Sequence, residues 1–146
     1  MLKFMKFLSR FDRYNKRKGK QIGKSGCPFC NPNEKPLRAG KYWHIVYNQY
    51  PYTGNDQHIM AVPVRHIVFS TDFTKSELKE LTSVYAFAKQ FFGDKSYFSF
   101  TRETIDCRSI EHYHTHFCAG QLQGRYLRKM LEIEGFPIYE DMKEDL

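Results

Sequence analysis

Residues 111–118 read Glu111-His112-Tyr113-His114-Thr115-His116-Phe117-Cys118. Side chains of an extended chain point alternately to opposite faces, so this spacing predicts a strand over 111–118 with three imidazoles in one row. A helix would scatter the same rings by about 100° per residue. Three cations side by side disfavour one another, so at least some of these rings are expected to be neutral near pH 7. A neutral imidazole serves as a nucleophile or as a metal ligand. The bland alternative is a chance run of histidines on an exposed strand; the interior position and the alternation set it apart from a purification tag.

Working outward, 97–102 reads as a strand joined to the histidine strand by a polar turn. Two β-rich runs, 42–48 and 58–63, flank a stretch at 50–56 that holds the Pro, Gly and Asn of a turn, which predicts an antiparallel pair. Between the two strand pairs, Thr74 and Glu77 form a capping-box signature. Leu78, Leu81, Tyr85, Ala88 and Phe92 follow at helical spacing until Gly93 supplies a stop. A last helix is predicted over 122–134, ending at Gly135. The order of strand pair, long helix, strand pair describes an α+β domain, with helix on one face of an antiparallel sheet. Parallel βαβ units are not indicated.

The chain has 146 residues, which fits one domain, and 41% hydrophobic residues with 13 Phe and 10 Tyr, which places it among globular proteins. Charge is unevenly placed. Residues 1–24 hold nine basic side chains against Asp12 alone, so the formal net charge of +7 belongs to this segment and not to the remainder. There, Leu2, Met5, Leu8 and Phe11 recur at three-residue steps, the pattern of a short amphipathic helix, and 15–26 reads as a basic linker. Two units follow: a basic N-terminal helix and linker over 1–26, and a domain over 27–146 with a C-terminal helical extension. The basic segment could hold nucleic acid or an anionic membrane by counterion release and attraction, or be only a solubilising arm. No run approaches the roughly 20 apolar residues of a membrane span, and the opening residues lack a signal-peptide core, so a cytoplasmic protein is expected.

Cys27 and Cys30 form a Cys-x-x-Cys pair. Alone it fits a metal site, a redox pair or two buried thiols about equally well. Adding His66 and His112 completes a Cys2His2 set, which tetrahedral zinc favours. Cys107 and Cys118 fall outside this set and read as ordinary small residues, and His44 reads as structural.

The run His112-Tyr113-His114-Thr115-His116-Phe117-Cys118 resembles the motif of the histidine-triad (HIT) superfamily, His-φ-His-φ-His-φ-φ. Its surroundings agree in the family's order: Cys27-Pro28-Phe29-Cys30, then Asn48-x-Tyr50-Pro51-Tyr52, then His58 through Pro63 with Arg65-His66. The wording is most similar to the zinc-bearing branch of diadenosine polyphosphate phosphorylases and related adenylyltransferases. The resemblance covers about 27–118. It implies a HIT-like antiparallel sheet of about five strands with a long helix on one face and helices at both ends. It implies a nucleotide hydrolase or transferase, a homodimer, and a structural zinc on Cys27, Cys30, His66 and His112. Carried over by position, His114 is the nucleophile that attacks the α-phosphorus of a nucleoside 5′-phosphoryl compound and becomes nucleotidylated. His116 and His58 lie against the phosphates, Ser109 contacts phosphate or leaving group, and Asn48 holds the ribose. Where the family usually has Gly-Gln or Gly-small residues before that serine, this chain has Cys107-Arg108. Arg108 would replace a neutral phosphate contact by a charged one and favour a more anionic substrate.

Two other readings stand beside this one. In the first, the same triad removes a nucleotide from nucleic-acid ends while the basic segment grips the backbone. In the second, the domain is a zinc-stabilised nucleotide-binding module without turnover.

Overall fold

The computed structural model describes residues 26–51, 57–105, 108–122, 127–129 and 132–133. The predicted basic helix and linker up to residue 25, Cys107, residues 52–56 of the predicted turn and residues 134–146 lie outside the described residues. Of the last predicted helix, 127–129 and 132–133 are helical, Leu122 is not, and the rest lies outside the described residues.

Five strands form one antiparallel sheet: β1 (Arg38–Ala39), β2 (Trp43–Tyr47), β3 (His58–Pro63), β4 (Tyr97–Thr101) and β5 (Thr115–Ala119), in the order β1-β2-β3-β5-β4. The short β1 is an addition to the strands predicted one by one. It turns into β2 through Gly40, whose amide donates to the Trp43 carbonyl at 2.8 Å. A side chain at Gly40 would meet that carbonyl at 2.7 Å and the Glu80 carboxylate at 2.0 Å, so only glycine fits the turn.

Helix α1 (Lys75–Phe92) lies between β3 and β4 in sequence and covers one face of the sheet. Both halves of its capping box are made. Thr74 Oγ1 accepts from the Glu77 amide at 3.2 Å, and the Glu77 carboxylate accepts from the Thr74 amide at 2.7 Å. Gly93 ends the helix at φ 60°. Thr74→Ala is expected to cost about 1 kcal/mol, read as a shift in urea midpoint at unchanged slope.

The buried stripe of α1 differs from the predicted one. Leu78 and Tyr85 are about half exposed, and Val84, Ala88 and Phe92 face the sheet with Glu77 buried in line with them. The cause is Arg65, whose guanidinium meets the Glu77 carboxylate at 2.9 and 3.0 Å. Paired and capped, a carboxylate can occupy a position that an isolated one could not. Arg65 holds Glu77 below the usual carboxylate range.

Opposite α1, Trp43, Ile45, Ile59, Ala61, Tyr113 and Phe117 complete the core. Every residue of β3 is buried, although α1 covers only one of its faces. By alternation the other face holds His58, Met60 and Val62 and, from the neighbouring strands, His44, His116 and Phe100.

The predicted strand at 111–118 is corrected: β5 begins at Thr115. The β3–β5 ladder ends at Ala61↔Thr115, and two steps further β3 closes with Pro63, which has no amide to continue it. The Tyr113 amide instead donates to the Ile67 carbonyl at 2.7 Å. His112 and His114 therefore stand in the lead-in to the strand and His116 within it. No helix among the described residues is long and apolar enough to cross a membrane.

Candidate active site and metal cluster

His114 and His116 lie side by side, ring centroids 4.9 Å apart, and both are buried. His114 Nδ1 donates to the His112 carbonyl oxygen at 2.8 Å. A carbonyl only accepts, so the proton of a neutral ring is on Nδ1 and the lone pair is on Nε2. Burial, with the charges of Arg108 and Arg102 adding to it, lowers the His114 pKa to about 4. The ring is thus neutral at pH 7 and offers an unprotonated nitrogen.

Asn48 and His58 stand behind the second ring. The Tyr50 amide donates to Asn48 Oδ1 at 2.9 Å, which fixes the amide orientation and turns Nδ2 towards His58, 3.3 Å from Nδ1 and 3.2 Å from Nε2. His58 Nε2 lies 2.9 Å from His116 Nδ1, so one proton lies between the two rings. Burial pushes the His116 pKa well below its ordinary value, and the neighbouring His114 and His58 add to that shift. Phe100 stacks on His116 at 4.6 Å and 9°, so the ring is held from its face as well as its edge.

His112 faces elsewhere. Its Nε2 donates to the Pro63 carbonyl at 2.8 Å, which leaves Nδ1 as a lone pair 3.4 Å from Cys27 Sγ and 3.5 Å from Cys30 Sγ. His66 Nδ1 lies 3.1 Å from Cys30 Sγ, and its Nε2 is 3.9 Å from the Glu111 carboxylate. All four ligand atoms lie within 4.8 Å of one another. Zn–S and Zn–N bonds of their usual lengths give a tetrahedron with edges of roughly 3.3–3.8 Å, near the three Cys–His contacts above, so the donor set and its grouping suit zinc. Both histidines would bind through Nδ1 while Nε2 faces an oxygen, the arrangement that orients metal-bound imidazoles. Neither cysteine is in a disulfide. A four-ligand shell leaves no place for water, so zinc here would fasten the Cys27–Cys30 knuckle to the lead-in of β5.

The knuckle has a second use that sequence reasoning missed. Phe29 lies 5.2 Å from the His114 ring and 5.8 Å from His112. With Pro32, Pro36, His44, Val46 and Val62 it lines a shallow, largely apolar hollow. His44, expected to be structural, is part of that lining. Its place on the histidine face follows from alternation along β2 once the sheet order is known.

Arg108 is spent differently from the expected phosphate contact. It is 2% exposed, and its guanidinium donates to the carbonyls of Arg102, Val68, Glu111 and Glu103. It also lies over the Tyr113 ring at 5.7 Å. The residue clamps the segment between β4 and β5 to the loop after β3. Ser109 follows it in the same turn and is half-buried. Arg108→Met would leave four carbonyls without this partner, and a loss of about 3 kcal/mol is expected in denaturant unfolding.

His114 and His116 are buried in their neutral forms, which makes stability depend on pH. In the unfolded chain they protonate near 6.5, and in the folded protein burial holds His114 near 4 and His116 well below 6.5. The unfolded state thus binds more protons as pH falls through that window. Stability should be complete above about pH 6.5 and fall towards pH 4, by up to about 1.4 kcal/mol per pH unit for each ring. Urea midpoints measured across that range check it; a flat profile would show that the rings are not buried neutral.

No family model matches the sequence, and no curated protein matches it. Among solved structures the fold has clear counterparts. A HIT family hydrolase from Clostridium thermocellum superposes with a TM-score of 0.54 at 15% identity, over 70% of this chain and 95% of that one. A zinc-bound histidine triad family protein from Mycobacterium smegmatis gives 0.53 at 13% identity, over 85% and 100%. A hypothetical histidine triad nucleotide-binding protein from Sulfolobus tokodaii gives 0.53 at 16% identity, over 74% and 89%. The chain thus has the fold of histidine-triad proteins: a five-stranded antiparallel sheet with one long helix packed on it.

Proposed function

We propose that this protein is a nucleotide hydrolase or transferase that cleaves at the α-phosphate of a nucleoside 5′-phosphoryl compound through a covalent intermediate on His114. The observation that carries the reading is the hydrogen bond from His114 Nδ1 to the His112 carbonyl, which leaves Nε2 unprotonated in a buried, neutral ring. A nitrogen so prepared needs no separate base.

In the first step Nε2 forms a bond to phosphorus, and the bond from phosphorus to the leaving group breaks, the electron pair leaving with that group. The proton on Nδ1 stays on the now positive ring and points at the His112 carbonyl, which stabilises that charge. His116, held by Asn48 and His58, presents Nε2–H to a phosphate oxygen, and Ser109 supplies a further donor. The nucleoside lies in the hollow under Phe29 and Val46, with the ribose near Asn48. In the second step water or phosphate attacks phosphorus from the other side and the N–P bond breaks. His114 is restored neutral, and a water nucleophile yields the nucleoside monophosphate and one proton. Zinc, when bound, supplies rigidity to the knuckle that carries Phe29. Two copies would join their sheets through β4, the edge strand nearest the histidines.

The test is turnover of a panel: a diadenosine polyphosphate, adenosine 5′-phosphoramidate and a nucleotide sugar, with and without inorganic phosphate. Turnover that needs phosphate identifies a phosphorylase, as in the branch the sequence most resembles, and turnover in water identifies a hydrolase. Failure to turn over any of them sinks the proposal for this substrate class.

A further inference from the structure

Arg102 has no place in the steps above, yet it stands where the sheet's register, carried on, would face His114. The β4–β5 ladder ends at Thr101↔Thr115, and the same register continued by one step sets Arg102 opposite His114. By alternation Arg102 shares a face with Phe100, and His114 shares that face with His116. Side-chain contacts agree. The Arg102 guanidinium carbon lies 5.4 Å from the centre of the Phe100 ring, the same ring that stacks on His116. Its charge reaches both catalytic rings, holding them towards the neutral form. The backbone at this point is fixed as well, because Arg108 Nε donates to the Arg102 carbonyl at 2.6 Å while Nη1 of the same side chain holds the Glu111 carbonyl next to His112. Arg108, buried and committed to carbonyls, is thus the clamp that holds Arg102 opposite His114.

We propose that Arg102 is a specificity-determining residue that binds the departing oxygen of an anionic leaving group, so that the site favours phosphoanhydrides over compounds that release an amine. This rests on the reading of His114 as nucleophile. When the P–O bond of a phosphoanhydride breaks, the leaving phosphate takes the electron pair and gains negative charge, and a guanidinium presents a planar fork that matches phosphate oxygens. When a P–N bond breaks, the leaving nitrogen must gain a proton and departs as a neutral amine, to which a fixed cation gives nothing. A preformed cation in a buried site acts on charge that develops in the transition state and so enters kcat more than KM.

The experiment measures kcat/KM on diadenosine tetraphosphate and on adenosine 5′-phosphoramidate for wild type, Arg102→Gln and Arg102→Lys, with melting temperature as the check on folding. The expected result is that Arg102→Gln shifts the ratio of the two constants against the tetraphosphate by about 10²-fold, mainly in kcat. Arg102→Lys, which keeps the charge without the fork, shifts it by about 10-fold. Should the Gln variant melt early, the Lys variant carries the same comparison. Equal losses on both substrates, or an unchanged ratio in both variants, overturn the assignment of Arg102 alone, as does a wild type that cleaves only the phosphoramidate. A wild type that turns over neither compound overturns the reading of His114 and this inference with it.

Discussion

His114→Ala is expected to lower kcat/KM on every accepted nucleotide by at least about 10³-fold, and to remove any covalent adduct. The size follows from chemistry and not from packing. The ring is 5% exposed and touches Phe29 and His116, but it lies on the face of the sheet away from the core that α1 covers. The variant should therefore fold, and loss of activity at near-native melting temperature separates nucleophile from scaffold. Intact-mass measurement of wild type, quenched without acid because an N–P bond is acid-labile, should find one added nucleotidyl group; the alanine variant should show none. Tight nucleotide binding by both proteins with no adduct in either would instead favour a binding module.

The second large effect concerns the metal cluster. Purified protein is expected to hold one zinc per chain, and Cys30→Ser should bring that close to zero. Cys30 is the better target because it is half-buried, so a serine there costs little by its own burial, whereas Cys27 is 1% exposed. A structural zinc contributes several kcal/mol to folding. At roughly 2–4 °C per kcal/mol, losing it should lower the melting temperature by about 10 °C or more. Activity should fall along with it, because Phe29 between the two cysteines forms the wall beside His114. Cys30→Ser with unchanged zinc content and melting temperature would show that the four residues do not act as one site.

Local signals were the ones legible in the chain. The capping box at Thr74, the stop at Gly93 and the bounds of β3 depend on neighbours a few residues away, and each lies where periodicity and turn chemistry predicted. The alternation at His112, His114 and His116 was sufficient to place two rings side by side. What it could not give was the parting of His112 from them, which depends on the Pro63 carbonyl 49 positions earlier. Arg108 is the sharper lesson. An arginine next to a suspected phosphate site invites a charge-pairing role, and only the three-dimensional arrangement reveals four carbonyls converging on it. Phe29 was given no role of its own and His44 was read as structural for the same reason, since their shared hollow depends on which strands are neighbours. Leu78 and Tyr85 looked like core by spacing because nothing local announces that Arg65 will draw Glu77 inward.

Placing β5 between β3 and β4 has a consequence for hydrogen exchange. The amides of Thr115 to Cys118 belong to a strand paired on both edges, and so should open only when the whole domain unfolds. His116, set on that strand, is not loosened by local fraying. The Cys27–Cys30 knuckle and the segment that Arg108 ties down lie outside the doubly paired strand, and their amides are expected to exchange sooner.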